Sequence, residues 1–353
     1  MKRTALALFG SLALGLLGLY LVAGPAAFHA RTYHLPTVSL PLALLIAAAS
    51  AAYWILPALR LRTLCAVQGY RLPLGTGLLI HVAGLFSAAI TPGGSGSAPA
   101  IAAGLRRAGV PFGRGVGVAV QVSILDLVFF AWALPLSLAY LLASGSTTLA
   151  PDLVTLALVS MVVAIGASTM LGRYPRLVVR LFLWLARRRT LTRFRRRLVA
   201  GARGYYRSSR LFTTMRFRAW ISLQTLGALA WLGMFTLFWA LVRVFQPVDF
   251  ITTIATLTIT TLVAFIVPTP GGSGFIEVAV GYGIGVQVAH ADLATPLLLW
   301  RLGTFYLVFL LGPLASWLVI ARRLGRRSPL GRRSPSAPPG PQPAQPADAR
   351  DDT

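Results

Sequence analysis

Two carboxylates sit where a carboxylate is costly. The chain has eight acidic side chains; three lie in the last six residues, and Asp152, Asp249 and Asp292 fall at the ends of apolar runs, which leaves Asp126 and Glu277. Asp126 lies about twelve residues into the apolar run 115–143, with Gln121 and Ser123 close by in sequence. Placing such a group at the centre of a membrane helix costs roughly 2.5–3.5 kcal/mol on insertion scales, so it marks a functional site unless it serves as a paired structural acid. Glu277 falls in the first turn after Gly274, where a helix dipole favours a carboxylate. Arg301 lies about eight residues into the run 293–320 and is the arginine that falls clearly inside a hydrophobic segment. Pairing Glu277 or Asp126 with Arg301 is the cheapest way to house both charges. His81 reads as either a proton carrier or a packing residue.

A glycine-rich hexapeptide provides the second signal. Thr91-Pro92-Gly93-Gly94-Ser95-Gly96 recurs letter for letter as Thr269-Pro270-Gly271-Gly272-Ser273-Gly274. Each copy interrupts an apolar stretch, 74–104 or 250–290, and unpaired backbone at membrane depth is tolerated only where it is buried in protein or lines a wet cavity. Both turns are therefore expected at an interior cavity, with Ser95 and Ser273 placed to cap the helices that follow. Exposed N–H groups at such helix starts attract anions such as a phosphate; a tight turn that only lets helices pack closely is the structural alternative. The expected headgroup-binding set is thus Gly93, Gly94, Ser95, Gly271, Gly272 and Ser273 with Glu277, Arg301 and Asp126. No Gly-Lys-Ser/Thr follows either turn and no nucleophile elbow or metal-ligand spacing occurs, so no catalytic residues, metal or cofactor are expected. Cys65 is the single cysteine.

Elements that could position these groups follow from composition. The chain is 56% hydrophobic and 12% charged with a mean hydropathy of +0.73, which fits a lipid solvent. Apolar runs at 4–24, 38–59, 115–143, 152–172, 219–242 and 293–320 approach or exceed the roughly 20 residues that cross a hydrocarbon core. The expected fold is an all-α polytopic membrane protein with about six full transmembrane helices plus two broken or re-entrant hairpins. Three spans separate the two turns, and an odd number inverts the second copy. Inverted-topology repeats are thus expected, repeat one over about 74–143 and repeat two over about 250–320.

The net charge of +25 reports topology rather than nucleic acid. Lys2 and Arg3 precede the first run, while Arg60, Arg62, Arg71, Arg106, Arg107 and Arg114 follow the second. The 173–218 loop holds fifteen arginines and no acid, against only Arg31 and Arg243 in the segments near 25–37, 144–151 and 243–249. The positive-inside rule makes the loop and both termini cytoplasmic. Leu177, Leu181, Phe182, Leu185, Phe194 and Leu198 are spaced for an Arg-rich helix lying on the membrane surface, where anionic lipid would attract it. Residues 323–353 are Ser/Pro/Gln-rich and are expected to be a disordered tail.

The second turn as Pro268 to Gly274 with Glu277 three residues on, then Arg301-Leu302, together with the first turn leading to Leu105-Arg106-Arg107-Ala108-Gly109-Val110-Pro111, resembles the membrane-embedded, flippase-like half of bacterial lysylphosphatidylglycerol synthetases and their free-standing relatives. The resemblance covers roughly residues 1–322. It implies a lipid or lipid-linked headgroup translocase of the bacterial cytoplasmic membrane. No soluble aminoacyl-transfer domain like that of the full synthetases is expected, so making lysyl-lipid is not implied. Pro99 stands where the first copy would match Glu277, which departs from the family pattern. The alternative from another class is an intramembrane enzyme or accessory subunit acting on phospholipid or polyprenyl phosphate.

Overall fold

The computed structural model describes residues 37–145, 174–187, 195–265, 269–285 and 290–321, with parts of 10–20 and 154–166 and the single residues Val267 and Val288. Four helices among them are long and apolar enough to cross a membrane. They are α1 (Leu40–Val67), α4 (Phe112–Ala143), α7 (Phe217–Phe245) and the span Asp292–Ile320. The expected spans at 4–24 and 152–172, like the tail 323–353, lie largely outside the described residues, although those described in 10–20 and 154–166 are helical. The last span is built from α10 (His290–Arg301), a π turn (Leu302–Tyr306) and α11 (Leu307–Ala321).

Both glycine-rich stretches are re-entrant hairpins. α2 (Leu74–Ala89) and α3 (Ser97–Arg107) flank the first turn; α8 (Phe250–Ala264) and α9 (Phe275–Ile284) flank the second. With 10 to 16 residues each, these legs are about 15–24 Å long, too short to cross the core. The hairpins enter from opposite ends of α4. Arg114, near its start, donates to the Gln68 carbonyl and the Tyr70 hydroxyl just ahead of α2. Tyr140, near its other end, donates to Asp249, whose carboxylate also accepts the Thr252 N–H as the N-cap of α8. These bonds hold the Asp249 carboxyl below its ordinary range, the Thr252 amide first among the causes.

The two copies keep one register over their whole length. The hexapeptides are offset by 178 residues, and the same offset carries α1 onto 218–245, where α7 is Phe217–Phe245. It carries α2 and α3 onto α8 and α9 within three residues, and α4 onto 290–321, the exact extent of the last span with its two helices. The register therefore begins well before residue 74, at the start of α1.

The Arg-rich segment divides in two. α5 (Pro175–Arg187) leaves Leu177, Leu183 and Trp184 exposed. α6 (Arg195–Thr213) packs one face against α4. Its Gly201, Gly204 and Ser208 pack on Gly113 and Gly117 of α4, where an added Cβ at Gly113 would come within 2.3 Å of the Gly201 carbonyl. Ser208 also holds Gln68 and Gln121 in a buried network. Small residues allow that close approach, and a buried amide pair without the Ser208 hydroxyl would be left short of partners.

The end of α6 and the end of α4 are thus expected on opposite sides of the membrane. In a Cys65→Ala background, Thr213→Cys and Ser144→Cys should react with a membrane-impermeant maleimide from opposite faces of sealed vesicles. Labelling of both from one face would contradict this arrangement.

Candidate functional site

The two turns meet tip to tip. Pro92 and Pro270 form an isolated antiparallel bridge, and the Gly93 N–H donates to the Thr269 carbonyl at 3.4 Å. Backbone groups freed by each break are thereby satisfied by the other, which hydrocarbon demands. Gly93, Gly94, Gly271 and Gly272 all have φ between 56° and 70°, a left-handed region that glycine enters without a Cβ penalty.

Identical sequences nevertheless take different shapes. Gly96 is right-handed at φ −74°, whereas its counterpart Gly274 has φ 81°. Neither expected serine caps a helix. Ser95 is exposed; Ser273 is buried and donates back to the Pro270 carbonyl at 2.7 Å, bracing the turn. In the first copy Thr91 braces the turn instead: its hydroxyl accepts the Gly96 N–H at 2.8 Å and donates to the Ser87 carbonyl. A serine and a threonine both fit either role by sequence, so only the geometry separates them.

Glu277 and Arg301 meet in the interior, Oε2 to Nη2 at 2.8 Å, with the side chains 0% and 5% exposed. The contact is ionic without aligned hydrogen bonds. Both Glu277 oxygens and the Arg301 Nε and Nη2 lack hydrogen-bond partners. Arg301 is sandwiched between the Trp300 and Phe305 rings, 5.2 and 5.1 Å from their centroids, which supplies cation–π stabilisation to a desolvated guanidinium. The π turn starts one residue after Arg301; such turns interrupt helices at functional sites more often than elsewhere. On its other side Glu277 is covered by Gly15 and Gly18. A Cβ on Gly18 would lie 3.1 Å from the Glu277 Cβ and 2.9 Å from Gly274.

A cavity of about 170 Å³ opens where the turns meet, lined by Gly93, Gly94, Gly271, Gly272 and Arg301 under a wall of aromatic and aliphatic side chains that includes Tyr53 and Trp231. It is an apolar chamber holding a guanidinium, the composition of a site that orients one anionic group of an otherwise apolar ligand.

Asp126 stands apart from this chamber's lining. It binds the Arg60 guanidinium, and its Oδ1 also accepts the Trp231 indole N–H at 3.1 Å. Arg60 is buried, 4% exposed, inside a helix that runs on to Val67. Ending the second apolar run at residue 59 assigned Arg60 to a loop; the apolar Leu61, Leu64 and Cys65 were the signal that the helix continues. Among the described residues each half of the chain therefore contains one internal ion pair, fully buried in the second half and partly exposed at Asp126 in the first. No group of three or more potential metal ligands occurs among the described residues.

Fold and site together define a polytopic helical membrane protein whose paired re-entrant turns enclose a buried ion pair. The chain belongs to the family described as the lysylphosphatidylglycerol synthase TM region, which matches residues 7–312. It is also similar to a UPF0104 membrane protein of Archaeoglobus fulgidus, 34% identical over 96 residues. That match spans 27% of this chain and 28% of the length of the relative.

Removing one member of a buried ion pair leaves the other charge uncompensated, at roughly 3–5 kcal/mol. Arg301→Ala should therefore lower the unfolding temperature sharply, while Glu277→Gln combined with Arg301→Gln should recover most of it. Equal losses in the single and double variants would show that the pair does not balance charge.

The second turn should also tolerate bulk less than the first. A Cβ on Gly271 meets Phe305 at 2.7 Å and the Ala89 Cα at 3.0 Å, whereas on Gly93 the nearest atom is 3.5 Å away. Both substitutions incur the same positive-φ strain. Gly271→Ala should cost the more in thermal stability by about 1–3 kcal/mol, and equal effects would argue against a tight seat at Gly271.

Proposed function

We propose that this chain is a lipid translocase that carries a phospholipid or lipid-linked headgroup across the cytoplasmic membrane. Its two halves act as an inverted repeat about the central chamber. One observation carries the reading: two half-membrane hairpins entering from opposite ends touch at their tips beside a chamber that contains a buried guanidinium. That arrangement suits alternating access, in which one half moves against the other around a fixed midplane site.

Arg301 is the headgroup ligand in this scheme. It trades part of its pairing with Glu277 for a phosphate oxygen, because its Nε and Nη2 have no hydrogen-bond partner and guanidinium binds phosphate through such paired donors. Glu277 then holds the charge of the empty site, and the exchange gives the two states that loading requires. The Arg-rich end faces the cytoplasm with both termini, following the positive-inside rule. α5 rests on the anionic leaflet, its exposed Arg176, Arg180 and Arg187 accompanied by exposed Leu177, Leu183 and Trp184.

The test is leaflet-resolved movement of isotopically labelled phosphatidylglycerol in proteoliposomes. The parent protein should move the lipid with its mass unchanged, Glu277→Gln should slow movement about tenfold or more, and Arg301→Ala should abolish it. A lipid whose mass changes would identify an enzyme instead, and transport by Arg301→Ala at the parent rate would remove Arg301 from the mechanism.

A further inference from the structure

Two hydrogen bonds donated from the chamber's wall join the halves at corresponding places in the repeat. Tyr53, on α1, donates its hydroxyl to the Thr304 carbonyl at 3.1 Å. Trp231, on α7, donates its indole N–H to Asp126 at 3.1 Å. The 178-residue offset of the hexapeptides carries Tyr53 onto Trp231 and Asp126 onto Thr304. Each bond therefore joins an aromatic side chain of one half to the same position of the other half, the reciprocity of an interface with a two-fold axis. The Pro92 and Pro270 bridge lies at equivalent positions by the same offset. Both donors line the chamber, and each sits near the middle of its helix.

We infer that Tyr53 and Trp231 are paired clamps that hold the two halves together across the chamber, and that release of one opens it to one face while release of the other opens it to the opposite face. The inference rests on the proposed alternating access of the same chamber and adds the residues that time it. Glu277 is fully buried and the Arg301 side chain only 5% exposed, so a headgroup gains access to the pair when contacts between the halves part. Beside the Gly93 to Thr269 bond of the tips, these two are the hydrogen bonds that side chains of the chamber's wall make between the halves among the described residues. An axis in the membrane plane exchanges the two faces, so it must also exchange the effects of the two clamps.

The clamps differ in their acceptors. Asp126 is a charged side chain pinned by Arg60, and Arg60 lies flat on Gly227, where an added Cβ would come within 2.7 Å of its Cζ. At the matching position Thr304 offers only a backbone carbonyl within the π turn. A charged acceptor makes the stronger hydrogen bond, so Trp231 is the tighter clamp and the one whose release limits exchange.

The experiment uses Thr261→Cys, a chamber residue, in a Cys65→Ala background, with maleimide labelling from each face of right-side-out and inverted vesicles. Tyr53→Phe deletes one oxygen and keeps the ring. It should speed labelling from one face roughly fivefold, the factor that one net hydrogen bond of about 1 kcal/mol is worth. Trp231→Phe should speed labelling from the opposite face by a larger factor. Acceleration from the same face by both variants, or none by Tyr53→Phe in a protein that remains folded by thermal shift, overturns the clamps. Labelling needs no transported lipid, so the clamps can hold even if the lipid assay fails, and can fail while transport by the parent stands.

Discussion

Backbone polarity in hydrocarbon is the constraint on which the rest of this molecule depends. A chain broken at mid-depth strands amide and carbonyl groups at several kcal/mol each, and no water is at hand to take them up. Here each break is closed locally by Thr91 or Ser273 and reciprocally by the other turn across the Pro92 and Pro270 bridge. That mutual dependence brings the two hairpin tips together, fixes the chamber at their junction and puts the start of α9, with Glu277, within reach of the last span. The ion pair then follows from the same logic applied to charge.

Much of the architecture was legible in the sequence because membranes leave few ways to satisfy polar groups. The repeated hexapeptide announced the two breaks, and the scarcity of charges in apolar runs left Glu277 and Asp126 as the candidate partners of Arg301, of which the structure brings Glu277 to it. Other parts required geometry. Arg60 was assigned to a loop by a hydropathy boundary, although its helix runs seven residues further, and with Arg60 went the partner of Asp126. The packing of α6 on α4 through Gly201, Gly204 and Ser208 gave no hydropathy signal, because small residues that let helices approach closely carry little hydrophobicity of their own. The capping roles of Ser95 and Ser273 were unreadable because identical hexapeptides adopt different backbones at Gly96 and Gly274.

The scaffold is near-symmetric while its charges are not. One offset carries α1 to α4 onto α7, α8, α9 and the last span, yet the ion pairs occupy unmatched positions: Arg60 corresponds to Phe238, Glu277 to Pro99 and Arg301 to Ser123. Packing tolerates such duplication, since the apolar faces of both halves need only similar volumes. Charges are held to a stricter standard, because each buried ion needs a partner of its own. A duplicated frame with a single polar chamber is the economical outcome, one half supplying the carboxylate and the guanidinium and the other supplying a tip for them to face.

The π turn at Leu302–Tyr306 makes the last span unusually sensitive to length. The matching stretch of α4 is regular helix. An α-helix rotates about 100° per residue, so deleting a residue within the π turn would leave a helix that still spans the bilayer but whose N-terminal part is swung around its axis. Arg301 would turn away from Glu277 while the apolar lipid-facing surface stayed continuous. The ion pair therefore depends on the residue count of a segment to which neither of its charges belongs.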